Sequence, residues 1–591
     1  YQTITLSDGI PMTVSSFENM TSSNIGIVFQ MEVVPESLMV YLPFLPNIFT
    51  DLGIIKDNDT IGYEEMEERL RQEILSLNAY YDFTENTEKT ELVLSGQGSN
   101  LDELKNLIGW MNNVLYSPYL SIENLPRIND IIDQMIQSYR NRMKGPEEYW
   151  VDYPADAYRF QENPLVMSTN CFLTELHHCQ RLKWLMTDPG DDGPMLGMML
   201  DDIKNVAKDM KREEITDMLS KLEELGSLTE NIATLPAGLK KDDISESSLK
   251  LISRMASSIK ATMSDIPDAN LNSDISYLCD EIKRDLSIKP AYAISQMNYI
   301  LDLLRHNDIA RMYMISNSYD RETTLDLVEQ FASRLDSGKK STIQNYAQKQ
   351  RIIDRLKTRE SNINKPLYVG LVYNGTNTGV MMFSAKIAEE YDTSRAAIVN
   401  CLAGKMFGGG GPHGLFMKTW AAGLAYSNGY TYGQAGGRVR YYAERCPDIA
   451  ETMKYVVDQM KNADDDPSLV DYSVAQVFGY SRAPSRYESR GYEMAKDLVH
   501  NRTPEKISNF RQRVLNYKNE EGVYFDIKTH LEDAYGPVLI GYGQPLSESH
   551  DGNFFIIGPE AQFESLEKLI ETEEGKQTVY RLYPRDYWIT L

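Results

Sequence analysis

The chain has 591 residues, with 60 Lys and Arg against 86 Asp and Glu and a net charge of −26. A length of this order holds several structural units of roughly 100 to 200 residues each, and the acidic balance excludes a phosphate-gripping nucleic-acid binder, since no basic run is present to offset it. With 42% hydrophobic and 25% charged residues, the composition is that of a globular protein with a sizeable core rather than a disordered or fibrous chain.

No window approaches the roughly 18 consecutive apolar residues of a membrane-crossing helix. The chain opens on Tyr1-Gln-Thr-Ile-Thr-Leu6, without Met and without a basic-then-apolar leader, and reads as a processed product, a partial chain or the later part of a longer polypeptide. The compartment is left open between an organellar matrix and a bacterial periplasm or cytoplasm. The five cysteines, Cys171, Cys179, Cys279, Cys401 and Cys446, contain no C-x-x-C pair, which argues for buried thiols rather than a disulfide scaffold or zinc ribbon.

Along the chain, the first strong signal is Glu91–Gly98 (ELVLSGQG), a strand pattern, followed by Leu104, Leu107, Ile108 and Met111 at the i, i+3, i+4, i+7 spacing of one buried helical face. Cys171, His177, His178 and Cys179 then cluster in TNCFLTELHHCQRL, but on a helix Cys171 and His178 stand roughly 10 Å apart, so the segment reads as an amphipathic helix rather than a metal site. Residues from Leu182 to Leu304 have helical periodicity, as in Ile203, Val206, Met210 and Ile215, Met218, Leu222, and predict an inserted helical layer. Within it, Asp188–Gly193 (DPGDDG) reads as a solvated turn, as does Ala463–Pro467 (ADDDP) later.

The strand-like Arg311–Ser318 precedes a helical Leu325–Leu335, and a polar, basic connection that also reads as helical follows over Ser337 to Lys365. Helices are predicted over Ser394–Phe407 and Leu415–Trp420, on either side of the Gly-rich Gly408–Gly414. That loop lacks the Lys-Ser/Thr of a phosphate cradle and reads as a connection. Tyrosines crowd Gly423–Tyr432 (GLAYSNGYTY), either as strand packing or as an edge that holds an extended peptide. The strand Arg438–Arg445 leads into Met453, Val456, Val457 and Met460, and Asn553–Gly558 precedes Phe563–Ile570. These two units repeat, in the same order, the pair found in the first half. The fold class is therefore α+β, as two tandem domains, each a mixed sheet covered by helices: 1–338, with the helical insertion at about 182–304, and 339–591.

None of the seven histidines (His177, His178, His306, His413, His500, His530 and His550) forms H-E-x-x-H or H-x-x-E-H, so no such zinc site is expected in this chain. A G-x-S-x-G nucleophile elbow is likewise missing. The run Gly414-Leu-Phe-Met-Lys-Thr-Trp-Ala-Ala-Gly-Leu-Ala-Tyr426-Ser-Asn-Gly429 resembles the C-terminal half of pitrilysin/insulinase-family zinc metalloproteases, in particular the presequence-protease branch. Leu42-Pro-Phe-Leu-Pro-Asn-Ile-Phe-Thr-Asp-Leu-Gly53, followed by Tyr63-Glu-Glu-Met66 and Glu91-Leu-Val-Leu-Ser-Gly96, is similar to the opening of that family's third domain.

The resemblance implies two pitrilysin-like domains, the third and fourth of a four-domain clamshell. Its N-terminal half carries H-x-x-E-H, zinc and the general base, and the present half closes around unfolded peptides. Tyr426 matches the family's transition-state Tyr, whose hydrogen bond would steady a tetrahedral oxyanion. Gly423, Leu424 and Ala425 would position the substrate backbone. The family's Arg position, six residues before the Tyr, holds Trp420, and a one-residue gap would place Thr419 there instead. Neither is a guanidinium, and loss of one such donor costs roughly 100- to 1000-fold in turnover. Lys418, on another face of the helix, is a poor substitute. Trp420 reads either as a hydrophobic anchor or as an aromatic facing the substrate chamber.

The expectations are a zinc-free half that contributes Tyr426 to a peptidase, with zinc in the N-terminal half as the one cofactor. Its partners would be that half and unfolded peptides, with no nucleic acid and no membrane span. An acidic wall would favour basic peptides. The alternative is a non-catalytic scaffold or peptide-binding subunit with the same fold.

Overall fold

A computed structural model describes residues 1–225, 244–361, 363, 367–408, 414–434, 436–483, 485–497, 499–543 and 551–589. In the first half the strands are β1 (Gln2–Thr5), β2 (Pro11–Ser16), β3 (Ser23–Gln30), β4 (Ile54–Lys56), β5 (Asp59–Ile61), β6 (Ser76–Thr84), β7 (Lys89–Gly98) and β8 (Ala310–Ser316). In the second they are β9 (Tyr368–Val372), β10 (Gly379–Lys386), β11 (Ser427–Gly433), β12 (Arg438–Cys446), β13 (Asn553–Gly558) and β14 (Tyr580–Leu582). Strands β4 and β5 form a separate hairpin, and the others form two six-stranded sheets.

The sheets run β1-β2-β8-β3-β7-β6 and β14-β9-β13-β10-β12-β11. Placed side by side, they match strand for strand. The second pair of each, β2/β8 and β9/β13, is parallel, and from there to the far edge every pairing is antiparallel. They differ at the near edge, where β1 lies antiparallel before β2 while β14 arrives after the last helix and lies parallel to β9.

The helices that follow are the ones the apolar quartets predict. Leu101–Tyr116 buries Leu104, Leu107, Ile108 and Met111, and Ile449–Lys461 buries Met453, Val456, Val457 and Met460. Each starts at a side-chain cap, with Asn100 accepting from the Glu103 N–H and Asp448 from the Glu451 N–H. Such a cap satisfies an N–H that the first turn leaves free. Ser318–Ala332 follows β8 and Glu560–Glu573 follows β13, completing the repeat.

Between β7 and β8 the inserted layer is present, with a core of its own. Helices Gly193–Ala207, Arg212–Glu224, Glu246–Thr262 and Leu271–Leu286 enclose Leu196, Leu200, Ile203, Ile215, Leu219, Leu222, Met255 and Ile275. Val206, expected on the buried face, is exposed. Helix Pro290–Leu304 joins the first sheet's core instead, through Met297, Ile300 and Leu301. The helix that carries the Cys/His cluster, Phe172–Leu185, is not amphipathic but enclosed, with Thr174, His177, His178 and Arg181 as buried as its apolar residues. Among its described residues the connection between the halves is α-helical over Arg351–Leu356 and not elsewhere. Ahead of it the chain is tied down in an irregular path, the Gln344 N–H donating to the Glu32 carbonyl and the Tyr346 hydroxyl to the Val34 carbonyl.

Each half covers the other's sheet. One face of the first sheet packs on its own helices, and the opposite face, with Val28, Val93, Tyr313 and Ile315, receives Tyr492 and Ala495 of helix Tyr487–Lys496 from the second half. That helix can come close because position 491 is glycine; a Cβ there would lie 2.5 Å from Ile315. In return, Val369, Leu371, Val380, Met382, Phe555 and Ile557 of the second sheet pack against Trp150, Val151, Ala155, Tyr158 and Phe172 of the first half.

Candidate functional site

The helix Leu415–Ala421 ends in a tight turn that delivers the chain to β11. Gly423 has φ +71, the left-handed conformation that closes a helix at little steric cost only in glycine. Its N–H donates to the Trp420 carbonyl and the Leu424 N–H to the Thr419 carbonyl, the crossed pair that satisfies the last turn of a helix. The Leu424 carbonyl accepts from Thr452, and the Tyr426 N–H donates to the Glu444 carbonyl of β12. Of the residues predicted to hold a substrate backbone, Gly423 and Leu424 thus spend their N–H groups on the turn, and Ala425 is buried in the second core. Thr419 is buried too, its hydroxyl donating to the Leu415 carbonyl and to Asn428 Oδ1. It locks the helix to β11.

The large exposed side chains of this unit are Met417, 41% exposed, Trp420, 56%, and Tyr426, 58%. The tyrosines further along behave differently. Tyr430 and Tyr432 are buried core residues of β11, so the Tyr-rich run divides into packing and surface roles.

The structure adds a residue that motif reading missed. The Arg445 guanidinium lies 4.7 Å from the centre of the Tyr426 ring, within reach for a cation–π contact. It donates through Nε to Glu148 Oε1 at 2.6 Å, binding the first half to the second. A break in the sheet places it there. Gly379 pairs with Cys446 and Met381 with Ala443, so Glu444 and Arg445 together stand opposite Val380, and Arg445 takes φ +49. This is a β-bulge, which inserts one residue into a strand and re-aims its side chain. The signal was in the alternation: Val439, Tyr441 and Ala443 point to the core, and continuing the period would bury Arg445. The bulge skips it and gives the next core position to Cys446.

The charges around this pair are set by their neighbours. Burial and the Glu148 carboxylate push the Glu444 carboxyl up, with Arg445 opposing. The bond to Glu148 raises Arg445 above its ordinary value, so the guanidinium is permanently charged. Tyr426 and Arg445 together present a phenol and a cationic donor beside solvent, a combination suited to holding a carbonyl or anionic oxygen.

Among the described residues no group of three or more His, Cys, Asp and Glu converges to hold a metal ion. His177 and His178 are engaged elsewhere, with Glu281 at 2.8 Å and Ser168 at 3.1 Å. His413, His550 and most of the Gly-rich segment lie outside the described residues. The five cysteines are free and buried.

No protein-family model matches the chain, and no curated protein matches it. Among solved structures it is similar to a peptidase M16 inactive domain from Pseudomonas fluorescens, 11% identical, covering 94% of this chain and 97% of that one with a TM-score of 0.47. It is similar also to a protease from Helicobacter pylori, 10% identical over 94% of this chain and 99% of that one, TM-score 0.48. The first half of the periplasmic protease PqqL from Escherichia coli is 9% identical over 98% of both chains, TM-score 0.48.

Proposed function

We propose that this chain is the zinc-free, C-terminal half of a pitrilysin-like peptidase of unfolded peptides. It would form one wall of the chamber and face a separate N-terminal half that holds the zinc and the general base. The observation that carries this reading is the exposed Tyr426 with the Arg445 guanidinium beside it, held at the end of an edge strand by a capped turn and a sheet bulge. Turn and bulge hold two donors in place before any substrate arrives, and donors fixed in advance are what stabilise a developing oxyanion. In this role Tyr426 donates to the scissile carbonyl oxygen as charge builds on it. Arg445, already paired with Glu148, supplies the guanidinium N–H that Trp420 and Thr419 do not, and Gly423, Leu424 and Ala425 shape the turn that presents Tyr426. Trp420 offers an aromatic surface to the peptide.

The test is cleavage of a quenched basic peptide by this chain alone, and with its N-terminal half, with and without a zinc chelator. Chelator-sensitive cleavage in the combined sample only is expected. There Tyr426→Phe should lower turnover by about 100-fold, the effect of one oxyanion donor, with peptide affinity changed far less. Unchanged turnover would remove Tyr426 from the mechanism. A second reading, a scaffold or peptide-binding subunit, is favoured by Thr419, whose hydroxyl is spent inside the protein and leaves no donor at that position. It predicts a verified, zinc-loaded complex that binds the peptide without cutting it.

A further inference from the structure

Away from Tyr426, helix Pro504–Tyr517 turns one face toward a cavity of about 360 Å³, lined by its Pro504, Ile507, Ser508, Arg511, Gln512 and Leu515. These positions recur every three to four residues, as one stripe of a helix must. Phe478 and Met494 reach in from two neighbouring helices, Arg482 stands beside them, and Tyr1 closes one side. The lining is apolar apart from two guanidiniums and a few hydrogen-bonding groups.

The two guanidiniums differ in one respect. Arg482 is neutralised, with two hydrogen bonds to Asp497 at 2.7 and 3.0 Å. Tyr1 shares that carboxylate through its hydroxyl at 2.9 Å. Among the described residues Arg511 has no carboxylate paired with it. Its guanidinium lies 3.9 Å from the centre of the Phe478 ring, and its Nε is buried without a hydrogen-bond partner. Two exposed acids act on other lining residues, Glu505 on Tyr1 and Glu493 on Arg482.

We infer that this cavity binds a monocarboxylate with an apolar body. The carboxylate would accept from the terminal amines of Arg511, with Ser508 and Gln512 in reach on the same helical face. The apolar part would lie over Phe478, Met494, Ile507 and Leu515, the last of which is 38% exposed and lacks a cover. One guanidinium left without a carboxylate among the described residues matches one negative charge, so a phosphate dianion is a poorer fit, and a volume near the lower end for small-ligand sites suits a short tail. Such a group has two sources, a free medium-chain fatty acid or the C-terminal carboxylate of a peptide that ends in apolar residues. The inference is independent of the peptidase reading and survives its failure.

The experiment is calorimetric titration of the full chain with octanoate, with octanol, and with N-acetyl-leucyl-phenylalanine as the free acid and as the amide. Saturable binding of an acid at least tenfold tighter than its uncharged analogue is expected. Octanoate alone would identify the free acid as the source, and the dipeptide acid alone a peptide end. Arg511→Gln should weaken the acid at least tenfold and leave the alcohol or amide unchanged. Because that variant alters a packed side chain, Leu515→Glu is the second arm: it places a carboxylate on the open side to accept from Arg511 and should abolish acid binding with the thermal midpoint retained. Equal affinity for acid and uncharged analogue, no saturable binding of either acid, or binding indifferent to both substitutions would overturn the inference.

Discussion

Arg445 shows how one residue can be misplaced for the sheet and rightly placed for a site. Its left-handed backbone, φ +49, is sterically disfavoured for every residue that has a Cβ, at about 1 kcal/mol. What holds it is the partnership with Glu148 across the two halves and the stacking on Tyr426. The strain and the contacts can be separated by substitution. Both Arg445→Ala and Arg445→Gly lose the ion pair, but only glycine relieves the backbone, so the glycine variant should be the more stable of the two by about 1 kcal/mol in urea denaturation. Equal stabilities would mean that the bulge relaxes once the guanidinium is gone. If the proposed peptidase reading holds, both variants should lose turnover together, since both lose the guanidinium.

At the scale of elements, regular repetition was legible and enclosure was not. The two apolar quartets, Leu104 to Met111 and Met453 to Met460, name buried faces correctly because a helix on a sheet buries one stripe, and periodicity reports that stripe. Helix Phe172–Leu185 defeats the same rule. It is buried on every side, so its polar residues carry no outward phase, and the partners of His177, Glu281, and of His178, Ser168, lie on other helices. Tyr426 could be singled out by the motif it resembles. Arg445 could not, because its position depends on a register shift between strands far apart in sequence.

The enclosed helix has a measurable consequence. Burial, together with the nearby His177 and the Arg181 guanidinium, holds the His178 imidazole neutral well below its usual range, with only Glu281 pulling the other way. In the unfolded chain the same ring takes up a proton near pH 6.5. The stabilising difference is therefore complete above that pH and lost as the pH falls below it, at up to about 1.4 kcal/mol per unit. Urea midpoints should drop between about pH 6.5 and 5.5, and His178→Gln, which keeps a polar group for Ser168 but cannot charge, should flatten that part of the slope. A slope identical in wild type and variant would show that the ring is not what titrates.

At the scale of the whole molecule, the two matched domains are not independent beads, since each sheet has one face covered by the other half. The residues after β14 extend this clasp. Tyr587 accepts from Thr174 through its carbonyl and donates to the Pro154 carbonyl through its hydroxyl, and Trp588 stacks on His177 with ring centres 4.9 Å apart. Arg585, 1% exposed, grips Asp274 of the inserted layer with two bonds of 2.6 and 2.8 Å. The adjoining Asp586 is gripped by Arg359 of the connection. The last residues of the second domain thus anchor in the insertion of the first, so unfolding should occur as one cooperative transition. Arg585→Ala strips the buried Asp274 of its bidentate partner, leaving Arg355 at 3.6 Å, and an unpaired buried carboxylate costs about 3 to 5 kcal/mol. Lysine should not restore the loss, because a single ammonium cannot reproduce the two parallel bonds. Replacing both partners, as Arg585→Met with Asp274→Leu, should recover most of it, since the carboxylate that needed pairing is gone. Denaturant melts of the single and double variants decide the matter: a single variant within about 1 kcal/mol of wild type, or a double variant no better than the single, would show that the anchor rests on Tyr587 and Trp588 rather than on the buried ion pair.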